Sequence, residues 1–184
     1  MESLFVSTGV VALAEIGDKT QLLALVLAAK YRKPVPIILG IFVATLLNHA
    51  VAGYFGAWLA ATIGEQMLKW ILGVSFIAMA GWMLIPDKLD EEEEKPARFG
   101  VFLTTLIAFF IVEIGDKTQV ATVFLAAKYA DVIAVVAGTT VGMMVANVPA
   151  VLLGEVAAKK LPMRLVHSVV AMVFLVLGLV ILLN

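Results

Sequence analysis

The sequence predicts an all-α membrane protein of six transmembrane helices, arranged as two inverted three-helix repeats with both termini outside. Hydrophobic residues make up 62% of the 184 residues and charged residues only 15%, whereas a soluble domain is about half apolar and a quarter charged. The chain also divides into six apolar runs, and a seven-residue segment occurs once in each half. These three observations together favour a membrane protein built from a repeat.

The six apolar runs are long enough for spanning helices, since a hydrocarbon core of about 30 Å requires about 20 residues. The first run is not expected to be a signal peptide, because the segment before Ala12-Leu13-Ala14 carries Glu2 and no basic residue. We therefore expect it to be retained. The predicted helices lie near 4–29, 35–60, 66–86, 100–127, 132–157 and 164–184.

The chain is predicted to form a first repeat over 1–86, an acidic linker over 87–98 and a second repeat over 99–184. A run of acidic residues in the linker is typical of a solvated tether. Nine Lys and Arg residues fall in the loops after predicted helices one, three and five, against two on the opposite side. The positive-inside rule therefore places these three loops in the cytoplasm.

The internal repeat indicates how the two halves are related. Residues 14–31 and 112–129 agree at 12 of 18 positions, a displacement of 98 residues that also matches Gly40 with Gly138. Because each half holds three predicted helices, an odd number, the second half must enter the membrane upside down. Inverted repeats of this kind commonly place a binding site near the midplane, between the halves.

The repeated segment is Glu15-Ile16-Gly17-Asp18-Lys19-Thr20-Gln21, with its copy at 113–119. The two copies put six ionisable side chains into hydrophobic runs, where each charge costs roughly 2.5–3.5 kcal/mol on insertion scales. On a continuous helix Glu15 and Asp18 would share a face, and Lys19 would be near enough to Glu15 to pair with it. Interior charges in membranes usually mark function, although ion pairs that merely lock two helices together are the alternative.

Charge accounting points to a divalent cation. Four carboxylates and two lysines sum to −2, which one divalent cation or two protons would neutralise. Competition for shared carboxylates is therefore a sufficient mechanism for cation/proton antiport. Hard oxygen ligands suit Ca²⁺, Mn²⁺ or Mg²⁺. The predicted metal ligands are Glu15, Asp18, Glu113 and Asp116.

Other polar residues are candidates to complete the site. The candidate additional ligands are Gln21, Gln119, Asn48, Asn147, Thr20 and Thr118, and the candidate charge-tuning residues are Lys19 and Lys117. His49, beside Asn48, either makes a helix-packing hydrogen bond or adds a nitrogen ligand.

Several functional classes are disfavoured by the composition. With no cysteine, thiolate metal sites and thiol catalysis do not arise. A net charge of −1 without a basic arm argues against a nucleic-acid partner, and no phosphate-binding loop is present for primary pumping. An intramembrane enzyme, a passive channel and a non-transporting assembly factor remain alternatives, but two matched, inverted copies favour transport.

Two copies of E-x-G-D-[KR]-[TS] on the first helices of two three-helix halves, joined by an acidic linker, resemble the Gdt-type cation transporter family. That family includes Golgi calcium/manganese transporters, chloroplast manganese transporters and bacterial manganese exporters of the MneA type. The resemblance covers essentially the whole chain. It implies transport of Mn²⁺ or Ca²⁺, against H⁺, centred on Glu15, Asp18, Glu113 and Asp116.

The resemblance also carries expectations about setting and partners. A compact chain suits a multi-pass protein of the bacterial inner membrane, which favours manganese export, with Ca²⁺/H⁺ antiport as the alternative. The expected partners are a divalent metal ion, protons and the lipid bilayer. The ion is transported and no cofactor is expected. Both a monomer and a homodimer are compatible with the sequence.

Overall fold

The structure, a computed structural model, describes residues 1–85, 100–153 and 163–183, without the side chains of residues 163, 164, 166 and 167. The predicted linker at 87–98 and the end of the fifth predicted helix lie outside these residues. The described chain is all-helical. Its helices are α1 (Glu2–Glu15), α2 (Lys19–Tyr31), α3 (Pro34–Thr62), α4 (Glu65–Met83), α5 (Val101–Glu113), α6 (Lys117–Tyr129), α7 (Val132–Leu153) and α8 (Met163–Leu183).

The first and fourth predicted helices are not continuous, and that prediction was wrong. Each apolar run contains two helices, α1 with α2 and α5 with α6, separated by a short non-helical segment inside the repeated motif. Gly17 and Gly115 in these segments have positive φ angles of 82° and 75°, a conformation that glycine adopts without steric penalty. The motif therefore interrupts its helix instead of lying along one face of it.

Hydrophobic side chains fill the core of the bundle and also cover its outer surface. Within the described residues α3, α4 and α7 are each long and apolar enough to cross a membrane, while α5 and Ser168–Leu183 are shorter apolar helices. Along α3, Phe42, Val51 and Trp58 are exposed, a pattern that suits contact with lipid and not with water. The protein is therefore a multi-pass membrane protein.

The two halves interlock through reciprocal packing. A displacement of 98 residues relates α1, α2, α3 and α4 to α5, α6, α7 and α8. α1 packs mainly against α7 and α5 packs against α3, which is the same contact repeated with the halves exchanged. α4 packs against α8. The first part of each broken helix is thus packed against the long helix, α3 or α7, of the opposite half.

Close helix packing depends on glycines at particular crossings. A Cβ atom on Gly56 of α3 would lie 2.1 Å from the backbone oxygen of Val123 on α6, which is much closer than atoms can approach. Gly9 of α1, in contrast, has no atom of the described residues within 4 Å of the position of a Cβ atom. The chain therefore offers one glycine that packing requires and one that it does not.

We predict that Gly56→Ala destabilises the protein by about 1–3 kcal/mol, because the added methyl group must push α3 away from α6. The matched variant Gly9→Ala should be neutral or stabilising by up to about 1 kcal/mol, since alanine has the higher helix propensity. Thermal unfolding of both purified variants in detergent measures the difference. Equal melting temperatures for the two variants would contradict the close α3–α6 crossing.

Candidate metal centre

The first copy of the motif forms a defined break between two helices. Glu15 is the last residue of α1, Ile16 is extended with φ −64° and ψ 116°, and Asp18 is the N-cap of α2. The backbone N–H of Asp18 donates to the backbone carbonyl oxygen of Glu15 at 3.0 Å. The N–H of Gly17 donates to the side-chain oxygen of Gln21 at 2.9 Å. One side chain of the motif thus stabilises the turn made by its glycine.

The second copy adopts the same conformation. Ile114 has φ −63° and ψ 118°, and Asp116 is the N-cap of α6. The backbone N–H of Asp116 donates to the backbone carbonyl oxygen of Glu113 at 3.0 Å. The backbone N–H of Gly115 donates to the side-chain oxygen of Gln119 at 2.7 Å. Because identical residues form identical turns in two surroundings, the break is a property of the motif itself.

This geometry corrects the predicted relation between Glu15 and Asp18. They do not share a helix face, because Glu15 ends one helix and Asp18 begins the next. In the second copy the Asp116 carboxylate accepts hydrogen bonds from the backbone N–H and the hydroxyl of Thr118, at 3.2 and 3.0 Å. The N-terminus of a helix carries a partial positive charge, which favours an acidic side chain there.

Three of the four predicted carboxylates come together in the interior. Among the described residues, oxygen atoms of Glu15, Asp18 and Asp116 all lie within 4.8 Å of one another, and their side chains are 0%, 3% and 2% exposed. Glu113 is also fully buried but does not belong to this group. The two halves therefore contribute unequally to the cluster.

Each glutamate is hydrogen-bonded to the asparagine of the opposite half. Asn147 of α7 donates to Glu15 at 2.9 Å, and Asn48 of α3 donates to Glu113 at 2.9 Å. The other oxygen of Glu113 accepts from the hydroxyl of Thr45 at 2.7 Å. The hydroxyl of Thr20, within the first motif, donates to Glu15. These contacts fix both glutamates between the repeats.

Thr45 is a site residue that sequence reasoning missed. A threonine one turn before Asn48 in an apolar helix gives no pattern that separates it from the many threonines whose hydroxyls bond to their own helix. The repeat offers one weak signal: the residue equivalent to Thr45 in the second half, 98 positions later, is Met143, so a polar residue occurs at this position in the first half alone. The two glutamates are therefore held by different donors.

The two glutamines stabilise the breaks and the contacts between the halves. Gln21 donates to the backbone oxygen of Ala146 at 3.1 Å, and Gln119 donates to the side-chain oxygen of Asn48 at 3.4 Å. Their own oxygens are occupied by the glycine N–H groups already described. Their direct ligation of a metal ion, like that by Thr20 and Thr118, stays a prediction.

The two lysines have different surroundings despite their equivalent positions. Lys19 does not pair with Glu15 as predicted, because the break rotates its helix away. Instead it forms an ion pair with Asp116 of the other half at 3.4 Å. Lys117 is buried, donates to the backbone oxygen of Ile85 at 2.8 Å and lies 6.0 Å from the ring of Trp82. Lys19 thus contributes positive charge directly beside the carboxylate cluster.

Some buried polar atoms at the centre have no hydrogen-bond partner among the described residues. They include Oε2 of Glu15, Oδ1 of Asn147 and both ring nitrogens of His49. Buried polar atoms are nearly always paired, so these two oxygens can accept a further partner, and their binding of a metal ion stays a prediction. The packing hydrogen bond considered for His49 is not found within the described part of the chain.

Buried carboxylates between two interrupted helices are typical of secondary ion transporters. The family profile described as "Divalent cation/proton antiporter GDT1" matches residues 3–91 and 101–184. The chain belongs to this family, which confirms the resemblance noted in the motifs. A family of cation transporters also agrees with the expectation that the protein is not an enzyme.

Individual relatives give the same assignment. The chain is 56% identical over 180 residues to a Vibrio cholerae protein named "Putative manganese exporter", covering 97% of this chain and 90% of that protein. It is 26% identical to a GDT1-like protein of Synechocystis sp., covering 89% and 88%, and 26% identical to GDT1-like protein 3 of Arabidopsis thaliana, covering 95% and 68%. No solved structure gives a significant match.

We predict that Gly115→Ala destabilises the protein by about 1–2 kcal/mol, because a residue with a Cβ atom pays this penalty at positive φ. No heavy atom of the described residues lies within 4 Å of the added methyl group, so the expected loss comes from backbone strain. Gly115→Asn should lose less, since asparagine tolerates this conformation better. Thermal unfolding of both variants provides the test, and wild-type stability of Gly115→Ala would indicate that the turn is not required.

Proposed function

We propose that this protein exports Mn²⁺ across a bacterial inner membrane in exchange for protons. The substrate binds at the buried cluster of Glu15, Asp18 and Asp116, with Glu113 as the fourth acidic group. The observation that carries this proposal is that three carboxylates from two halves of the chain lie within 4.8 Å of one another in the interior of a membrane protein.

The proposed topology has six spans in two inverted repeats, with α1 and α2 together forming the first span and α5 and α6 the fourth. Reciprocal packing of α1 on α7 and of α5 on α3 supports it, because a two-fold relation between halves produces such a pair of contacts. The excess of basic residues in the loops after spans one, three and five supports a cytoplasmic location for these loops. Both termini are then outside.

The donor set supports a hard divalent cation. The cluster and its surroundings offer carboxylate, amide and hydroxyl oxygens, which are the ligands of Mn²⁺ and Ca²⁺. Three carboxylates that are close together in a medium of low dielectric constant repel one another strongly. A divalent cation relieves this repulsion, and so does protonation.

Exchange follows from this shared requirement. Four ionised carboxylates and two protonated lysines sum to a charge of −2. Either one divalent ion or two protons neutralises this charge, and with neither bound the buried site carries an uncompensated charge. Binding of Mn²⁺ to the cluster displaces protons, and protons arriving from the opposite side release Mn²⁺. The glycine breaks at Gly17 and Gly115 supply positions at which α1 and α5 can change direction relative to α2 and α6.

The choice between manganese and calcium rests on the relatives. The protein of Vibrio cholerae with 56% identity carries manganese in its name, and this favours Mn²⁺. The oxygen donors of the site suit Ca²⁺ equally well, so Ca²⁺/H⁺ antiport remains the second candidate function.

We predict that purified protein in proteoliposomes moves Mn²⁺ when a pH gradient is imposed, and that Glu15→Gln and Asp116→Asn each lower the flux about ten- to hundredfold. A lost bond to a charged ligand of about 1.5–3 kcal/mol gives this range. Glu2→Gln is the control, because Glu2 is an exposed acid at the start of α1. Wild-type flux in both site variants, or none in the parent protein, would refute the proposal.

A second prediction separates the two ions. At equal concentrations Mn²⁺ should inhibit Ca²⁺ flux more strongly than Ca²⁺ inhibits Mn²⁺ flux, since a manganese exporter binds Mn²⁺ more tightly. Paired uptake assays with both ions at the same pH gradient measure this order. The reverse order would favour the Ca²⁺/H⁺ antiporter.

A further inference from the structure

Two buried hydroxyl groups, at equivalent positions in the two halves, have no hydrogen-bond partner within the described part of the chain. Oγ of Ser7 and Oγ1 of Thr105 make no hydrogen bond to any described residue, and both side chains are 0% exposed. Ser7 precedes Glu15 by eight residues and Thr105 precedes Glu113 by eight, so the 98-residue displacement relates them. The feature therefore occurs once in each repeat.

A hydroxyl in a helix can donate to the backbone carbonyl one turn earlier, but the hydroxyls of Ser7 and Thr105 make no such hydrogen bond. Buried serine and threonine in a helix commonly donate to the carbonyl one turn earlier. The neighbouring Thr8 does so to Leu4 at 2.8 Å, and the buried Thr122 does so to Thr118 at 2.8 Å. The hydroxyls of Ser7 and Thr105 do not make this bond.

Each of the two residues lies where the first part of a broken helix packs closely against a glycine of the opposite half. A Cβ atom on Gly138 of α7 would be 3.0 Å from the Cβ of Ser7 and 2.5 Å from the oxygen of Leu4. A Cβ atom on Gly40 of α3 would be 2.8 Å from the Cβ of Thr105. Gly40 and Gly138 are themselves related by 98 residues. At both crossings the glycine leaves no room for a Cβ atom.

The two crossings lie on opposite sides of the carboxylate cluster in the proposed topology. Eight helical residues correspond to about 12 Å along the helix axis, so each hydroxyl lies between its glutamate and the start of its helix. α1 begins at the outer face and α5 at the cytoplasmic face. An ion moving between the cluster and either face therefore passes the level of one hydroxyl on each side.

We propose that the hydroxyls of Ser7 and Thr105 are transit ligands for the hydrated divalent cation. When the α1–α7 crossing separates, Ser7 presents an oxygen to the cation between the cluster and the outside. When the α3–α5 crossing separates, Thr105 does the same toward the cytoplasm. This proposal rests on the proposed function, and it explains why a buried hydroxyl is kept unbonded in both closed crossings.

Flux and binding measurements distinguish a transit ligand from a structural residue. Ser7→Ala and Thr105→Val should lower Mn²⁺ flux about fivefold, the loss corresponding to about 1 kcal/mol, while the equilibrium Kd for Mn²⁺ stays within about twofold of wild type. Thr105→Ser, which keeps the hydroxyl, should retain flux. The matched controls are Thr8→Val and Thr104→Val, which remove hydroxyls from the adjacent positions.

Folding does not obscure this test, because removing an unbonded buried hydroxyl should leave the melting temperature unchanged or raise it. Wild-type flux in both Ser7→Ala and Thr105→Val would overturn the proposal. A fall in flux with an equally weakened Kd would also overturn it, because the residues would then belong to the equilibrium site.

Side-specific labelling provides a readout that needs no transport. The chain has no cysteine, so Ser7→Cys and Thr105→Cys each introduce a single thiol. A membrane-impermeant maleimide should label Ser7→Cys from the outside only and Thr105→Cys from the cytoplasmic side only, and Mn²⁺ should change both rates. Thiols that stay unlabelled, or that react from the same side, would overturn the proposal.

The two proposals fail in different ways. Absence of Mn²⁺ flux in the parent protein refutes manganese transport, whatever the labelling shows. Normal flux in the parent together with normal flux in the hydroxyl variants refutes only the transit ligands.

Discussion

The hydrogen bonds from Asn147 to Glu15 and from Asn48 to Glu113 are the interactions on which the rest of the structure depends. A carboxylate in the interior of a membrane protein needs several partners, because hydrocarbon offers none. Neither half contains both members of either pair. The two repeats must therefore pack against each other before either glutamate gains its asparagine donor, and this requirement couples the position of the candidate site to the assembly of the fold.

The same principle explains why the cluster is asymmetric. Glu15, Asp18 and Asp116 converge, whereas Glu113 is held apart by Thr45 and Asn48. Identical motifs give identical backbone turns, but their surroundings come from helices that are not identical. The lysine beside Asp116 makes the inequality between the two halves larger.

Much of this organisation could be predicted from the sequence. The doubled motif, the displacement of 98 residues and the candidate ligands Asn48 and Asn147 all follow from patterns in the chain. The helix breaks could not be predicted from the sequence, because an isolated glycine within an apolar run is compatible with an unbroken helix. Only its positive φ angle, which reflects the bond from Gly17 to Gln21, reveals the turn.

The pairing across the halves was also beyond the sequence. Spacing along a helix places Lys19 near Glu15, but the break turns Lys19 toward Asp116. Predicting that contact requires the relative placement of two halves, which no local pattern contains. Thr45 was missed for the same reason, since its role depends on Glu113 lying opposite it.

The recurrence of one backbone turn in two different environments has a consequence for how such proteins can change. The seven residues of the motif are sufficient to form the interruption, because they include the glutamine whose side chain accepts from the glycine of the same motif. A segment with this autonomy is portable: it could be moved to another apolar helix and retain its shape. Duplication of a chain that carried this segment would then give the same interruption in both halves, while the neighbouring helices stayed free to diverge into unequal partners.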